Sequence, residues 1–191
     1  MKDITNNEML FVLSIFKSPE KDYNASDLAR LLGISPMGAL KIAKRLEKEN
    51  ILKSKPIGKA RIYKLNIEND YVKDYIEFLL KREAEQAPAH IKMWINELRK
   101  IKNADAAVLF GSILRKKEAS DIDALLITGQ KRFSKLKKEV ESLNLINIKK
   151  LHPMYQSKED IRVNIKKEGK ALLNAIKGIV AFGEDNIIDL L

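Results

Sequence analysis

The chain has 191 residues, 45% hydrophobic and 32% charged, with 8 Gly, 5 Pro and no Cys. This excludes collagen-like and low-complexity classes, and the missing cysteine excludes disulfide scaffolds, thiolate zinc sites and cysteine nucleophiles. Lys and Arg number 36 against 26 Asp and Glu, a formal charge of +10, which favours a polyanionic partner and says nothing of fold.

The apolar pattern Met9, Leu10, Val12, Leu13, Ile15, Phe16 predicts a first helix, ended at Ser18-Pro19 because proline disfavours helical backbone in the residue before it. Asn24 to Asp27 offers caps for a second helix, Ser26 to Leu32, stopped by Gly33 in a left-handed conformation. Ser35-Pro36 then reads as a cap followed by proline in the first helical position. The third helix runs to about Asn50, with Leu40, Ile42, Ala43 and Leu46 expected on its buried stripe and Lys41, Lys44, Arg45 and Lys48 on its wet face. Residues 51–55 and 60–65 flank Pro56-Ile57-Gly58-Lys59 and predict a β-hairpin. From Ser35 to Leu65 there are nine basic residues and two acidic ones, whereas the rest of the first 80 residues holds five basic and nine acidic. The positive charge is concentrated on the third helix and the hairpin.

Helix, helix, short turn, basic helix, basic hairpin: over residues 6–67 this order resembles the winged helix-turn-helix. The resemblance implies that the third helix enters a major groove and the hairpin reaches a neighbouring phosphate or the minor groove. It makes Ser35, Lys41, Lys44, Arg45, Lys48, Lys59 and Arg61 the candidate contacts to double-stranded DNA, with a homodimer as the usual way to read two half-sites. Such units also serve as protein-binding modules.

Residues 69–85 carry an amphipathic helical pattern, broken at Gln86-Ala87-Pro88, and Ile91, Trp94, Ile95, Leu98 and Ile101 begin another helical stripe. Tyr75 and Trp94 read as packing residues. The expected organisation is therefore 1–67, a connecting helix and linker 68–88, and a second domain 89–191, in a mixed α+β (α/β) chain.

The second half has one dense segment. An apolar run ends in Gly111-Ser112, and a second begins Ser120-Asp121-Ile122-Asp123. On a strand, positions i and i+2 face the same way, so Asp121 and Asp123 are expected to project together. Two adjacent carboxylates call for a cation, and Mg²⁺ suits hard oxygen ligands and shares them with phosphate oxygens. Gly111 allows close approach to a phosphate and Ser112 supplies a hydroxyl and an N–H; Arg115 and Ser120, in the same connection, complete the candidate phosphate set.

Gly-Ser at a strand end, then eight residues, then Asp-x-Asp on the next strand resembles the minimal nucleotidyltransferases of the DNA polymerase beta superfamily, over about residues 90–183. The resemblance implies a Mg²⁺-dependent site for ATP or another NTP, with Asp121 and Asp123 as metal ligands and catalytic residues, in which a nucleoside monophosphate passes to a protein or RNA acceptor. It also implies an antitoxin-like role beside a helical toxin-like partner. Two departures stand out. Lys116 sits where the family often has glycine, and the third carboxylate, expected on the strand after the next helix, has no counterpart, since residues 142–158 hold no Asp or Glu. The strand expected at Leu145–Leu151 offers Asn147 or Lys149 for that place, and Glu141 precedes it on the helix expected at 131–142. This departure favours a regulator that retains nucleotide or metal contact over an active transferase.

His90 and His152 read as isolated, His152-Pro153 as a strand bend, Lys131 to Lys138 as the wet face of a helix, and Lys170 to Leu191 as a structural cap. The first residues lack the basic region and cleavage site of a secretory signal, and no run of about 18 apolar residues occurs, so the cytoplasm is the expected compartment.

Overall fold

The structure, a computed structural model, describes residues 3–58, 60–116 and 119–190. It is mixed α+β and divides into two compact units, residues 1–79 and 80–191.

In the first unit α1 (Asn6–Phe16) starts from a capping box in which the Thr5 side chain accepts from the Glu8 N–H and Glu8 accepts from the Thr5 N–H. Its residues Phe11, Val12, Leu13, Ile15 and Phe16 are buried. The two-residue strand β1 (Tyr23–Asn24) leads into α2 (Ala25–Leu32), where Asn24 and Asp27 form a second capping box. Gly33 ends α2 with φ +66°, a conformation that costs glycine no steric strain. Ser35 caps α3 (Pro36–Lys48) by accepting from the Gly38 N–H. Strands β2 (Leu52–Ile57) and β3 (Ala60–Leu65) pair antiparallel, Leu52 opposite Leu65 and Ile57 opposite Ala60, as the predicted hairpin. β1 pairs with the other edge of β3, giving the order β1-β3-β2, the small sheet of a winged helix. The buried stripe of α3 differs from expectation: Ala39, Ala43 and Leu46 are inside, while Leu40 is exposed and Ile42 half-buried. Two alanines rather than two larger residues let α3 approach its neighbours closely.

α4 (Asp70–Gln86) crosses the division between the units, and Pro88 precedes α5 (Ala89–Leu98). The second unit is built on a four-stranded sheet from β4 (Ala106–Phe110), β5 (Ile122–Ile127), β6 (Leu151–Gln156) and β7 (Ile179–Phe182), in the order β6-β5-β4-β7. β4 pairs antiparallel with β5 and β7, whereas β6 runs parallel to β5 and is reached through α6 (Gln130–Ile146). Period-2 alternation puts Ala107, Leu109, Ile122, Ala124, Leu126 and Leu151 on one face, in a core with Trp94, Ile95 and Leu98 of α5 and Leu136, Val140 and Leu143 of α6. Helices α7 (Lys158–Lys166), α8 (Lys170–Ile176) and α9 (Glu184–Ile188) complete the chain, with α8 packed on β4 and β5.

Three expectations fail here. The strand expected at Leu145–Leu151 does not form: α6 continues to Ile146, residues 147–150 connect, and the strand begins at Leu151. The bend expected at His152-Pro153 lies inside β6, where proline is tolerated because β6 is an edge strand. The tail is more than a cap, since Ile179–Phe182 supplies β7 to the sheet. Among the described residues, no helix is long and apolar enough to cross a membrane.

Candidate nucleic-acid interface and carboxylate site

The basic residues of the first unit separate into two groups. Arg45 donates to Glu49 at 2.9 Å and to Glu8 at 2.5 Å, and only 22% of its side chain is exposed. Lys53 pairs with Glu68 at 2.5 Å, Lys64 with Asp22 at 2.6 Å, and Arg61 lies 3.6 Å from Glu47. Lys41, Lys44 and Lys48, by contrast, are exposed and have no ion pair among the described residues. Spaced by three and four positions, they stand on the side of α3 opposite Ala39, Ala43 and Leu46. Of the other candidate contacts, Ser35 is exposed and committed to its cap, and Lys59 lies outside the described residues. Three unneutralised positive charges of the first unit are thus gathered on one helical face, and Lys55 on β2 adds another exposed one on the hairpin.

Arg45 belongs instead to a network that ties α3 to α1. Glu8 is buried, at 3% exposure, and also accepts from Thr5, while Arg45 reaches it from 37 positions further along the chain. Tyr75 of α4 feels the same charges. Burial pushes its phenol up to about 12, with Glu8 and Glu49 reinforcing the shift and Arg45 opposing it. The Arg45 guanidinium is held above its ordinary range chiefly by its hydrogen bond to Glu49.

In the second unit β4 ends at Phe110 and the chain turns through Gly111 at φ +83° into a single 3₁₀ turn, Gly111–Leu114. Phe110 lies opposite Asp123 across the β4–β5 ladder, so Asp123 meets the Gly111 turn from the neighbouring strand. A Cβ on Gly111 would stand 2.9 Å from Asp123 Cγ and closer still to Oδ2. The structure therefore brings Gly111 and Asp123 together. Asp121, just before β5, is exposed and accepts from the Ser120 hydroxyl at 2.9 Å. Ser112 and Arg115 make no side-chain hydrogen bond or ion pair among the described residues.

The place expected for a third acid moves with the corrected strand. Asn147 lies beyond the end of α6, donating to Leu143 O and Glu97; Glu141 is exposed on α6; Lys149 is in the connection to β6. None of the three is on β6. The residue in register with Asp123 on β6 is His152, whose Nε2 lies 3.8 Å from Asp121 Oδ1. Its isolation in sequence hid this, because the parallel register of β5 and β6 becomes visible only once α6 ends at Ile146. Among the described residues, no group of three or more His, Asp or Glu is arranged to hold a metal ion.

No family model matches the chain, and no curated protein matches it. Among solved structures it is similar to the adhesin competence repressor AdcR of Streptococcus pyogenes, with 17% identity and a TM-score of 0.39 over 52% of this chain and 69% of that one. It is similar to the heme sensor protein PefR of Streptococcus agalactiae, in complex with heme, with 22% identity and a TM-score of 0.36 over 51% and 69%. It is likewise similar to ZitR of Lactococcus lactis, described as a zinc-responsive MarR family member, with 13% identity and a TM-score of 0.31 over 52% and 74%. The winged helix described above stands on its own elements, α1 to α3 with the sheet β1-β3-β2.

Proposed function

We propose that the chain is a DNA-binding regulator that docks α3 in the major groove of a duplex, with the β2–β3 hairpin as a wing. The observation that carries this is the segregation of charge: Arg45, Lys53, Arg61 and Lys64 face carboxylates, while Lys41, Lys44 and Lys48 face solvent unpaired. A lysine contacting a phosphate releases a counterion, so log Kobs falls with log salt by about 0.9 per contact. Anisotropy titrations of the full chain on a labelled duplex should show a steep salt slope. Each of Lys41→Ala, Lys44→Ala and Lys48→Ala should reduce it by about 1, and Lys53→Ala or Lys64→Ala should leave it unchanged. Binding indifferent to salt would remove the reading and favour a protein-binding module.

The second unit is proposed to hold the phosphates of ATP or another NTP between the Gly111 turn and Asp121 and Asp123, with Mg²⁺ as the shared cation. Two adjacent carboxylates fit a single Mg²⁺, which fills its remaining positions with water and phosphate oxygens. They do not fit the two-ion arrangement of nucleotidyl transfer, for which β6 offers His152 in place of a carboxylate. Binding without transfer is therefore the reading the donor set favours. ATP with Mg²⁺ at a hundredfold its Kd should stabilise the chain by about 2.7 kcal/mol. That gain should vanish without Mg²⁺ and in Asp123→Asn, with the melting temperature as readout. A second reading keeps the same contact of Gly111 with Asp123 and adds transfer, as an active transferase with a protein or RNA acceptor. Radiolabel passing from an NTP to an acceptor such as a helical toxin-like partner would establish it.

A further inference from the structure

We infer that Met37 reads the 5-methyl group of thymine, so that the site recognised by α3 carries a thymine against the first turn of that helix; this rests on the DNA-binding reading above. The side chains that read base edges in the major groove through hydrogen bonds are Arg or Lys on guanine and Asn or Gln on adenine, with the rigid fork of Arg giving the most fixed geometry. α3, PMGALKIAKRLEK, has no Asn or Gln and a single Arg. That arginine is spent on Glu8 and Glu49. What remains free on the exposed face is Lys41, Lys44 and Lys48, which act as point charges, and two apolar side chains.

Met37 is 62% exposed and Leu40 37%. Counted along the helix, Met37, Leu40, Lys41 and Lys44 follow i, i+3, i+4, i+7 spacing and form one patch. Met37 is the second residue of α3, in the turn from which a recognition helix contacts base edges, and Gly38 beside it adds no side chain to keep that turn away from the groove floor. The lysines settle what covers the patch, because a surface carrying three unpaired cations suits a polyanion. Within the major groove, the only apolar feature a base presents is the thymine methyl. An unbranched thioether side chain adapts its shape to it.

The test replaces thymine by uracil, which deletes the methyl and nothing else. A duplex selected from a randomised pool by the full chain is remade with uracil at each thymine in turn, and binding is followed by anisotropy at fixed salt. At one or two positions the substitution should weaken binding about fourfold, the worth of one buried methyl. Met37→Ala should lose that sensitivity while keeping the salt slope, and Met37→Leu should restore it. Salt-dependent binding indifferent to uracil everywhere, or a selected site without thymine, overturns the inference and leaves the DNA-binding reading standing. Sensitivity unchanged in Met37→Ala overturns the assignment to Met37. Absence of salt-dependent binding overturns both and marks the patch as a protein contact.

Discussion

Arg45→Ala should destabilise the first unit by about 2–4 kcal/mol, since removing one partner of a buried ion pair strands the other. Glu8 is the stranded group: it is 3% exposed, it sits in the first turn of α1, and Arg45 is its only cationic partner among the described ion pairs. Thr5 satisfies part of the carboxylate and leaves its charge uncompensated. Because the chain has two units, the measurement is amide hydrogen exchange, read separately on α1, α3 and α5. Protection in α1 and α3 should fall and that of α5 should stay. Arg61→Ala, at a pair 3.6 Å apart with the arginine 59% exposed, should change stability by no more than about 0.5 kcal/mol. Removing both charges in Glu8→Met with Arg45→Leu should recover most of the loss, since apolar replacement of a buried pair is often neutral. A single Arg45→Ala as mild as Arg61→Ala would show that the network does not fasten α3. Any loss of DNA binding by Arg45→Ala is then read as displacement of the helix that carries Lys41, Lys44 and Lys48.

Arg45 also marks where sequence reasoning stops. Residues with a local cause for their conformation were legible: Gly33 as a left-handed stop, Ser35-Pro36 as a helix start, the hairpin around Gly58. Each depends on neighbours within a few positions. Arg45 lies on the wet side of its helix by periodicity and counts as a DNA contact until Glu8, 37 positions away, is seen to claim it. The same limit explains the misplaced strand. Leu145-Ile-Asn-Ile148 alternates enough to suggest one, yet Leu145, Ile146 and Ile148 are 85%, 75% and 98% exposed. β6 is formed by Leu-His-Pro-Met-Tyr-Gln, whose proline argues against a strand unless its edge position is known. In the candidate site, Gly111 and Asp123 were both legible from their spacing. His152 was not, because its place beside Asp123 depends on the register of a strand that begins six residues after the alternation at Leu145 suggests.

Gly111→Ala should destabilise the second unit by about 2–4 kcal/mol, from left-handed backbone strain combined with overpacking. Gly33→Ala provides the comparison. Gly33 has φ +66° and nothing within 4 Å of an added Cβ, so it carries the backbone cost alone, about 1 kcal/mol. At Gly111, φ is +83° and the new methyl would stand 2.9 Å from Asp123 Cγ. Either the turn or the aspartate has to move, and β4 and β5 hold both through the Phe110–Asp123 pair. A double-mutant cycle separates the two costs. In Gly111→Ala with Asp123→Ala the carboxylate is gone and only Asp123 Cβ remains, 3.1 Å from the added methyl. The pair should therefore be less destabilised than the sum of the single changes by 1 kcal/mol or more, roughly the lower end of an overpacking cost. Additive effects would mean that the carboxylate yields freely and that Gly111 serves its turn alone. Coupling would mean that the turn and the carboxylate are one rigid unit, with Asp123 held against the loop where a phosphate would rest. That preorganisation is what a nucleotide site on β5 requires, and Gly111→Ala should then abolish the Mg-ATP melting shift along with the stability it removes.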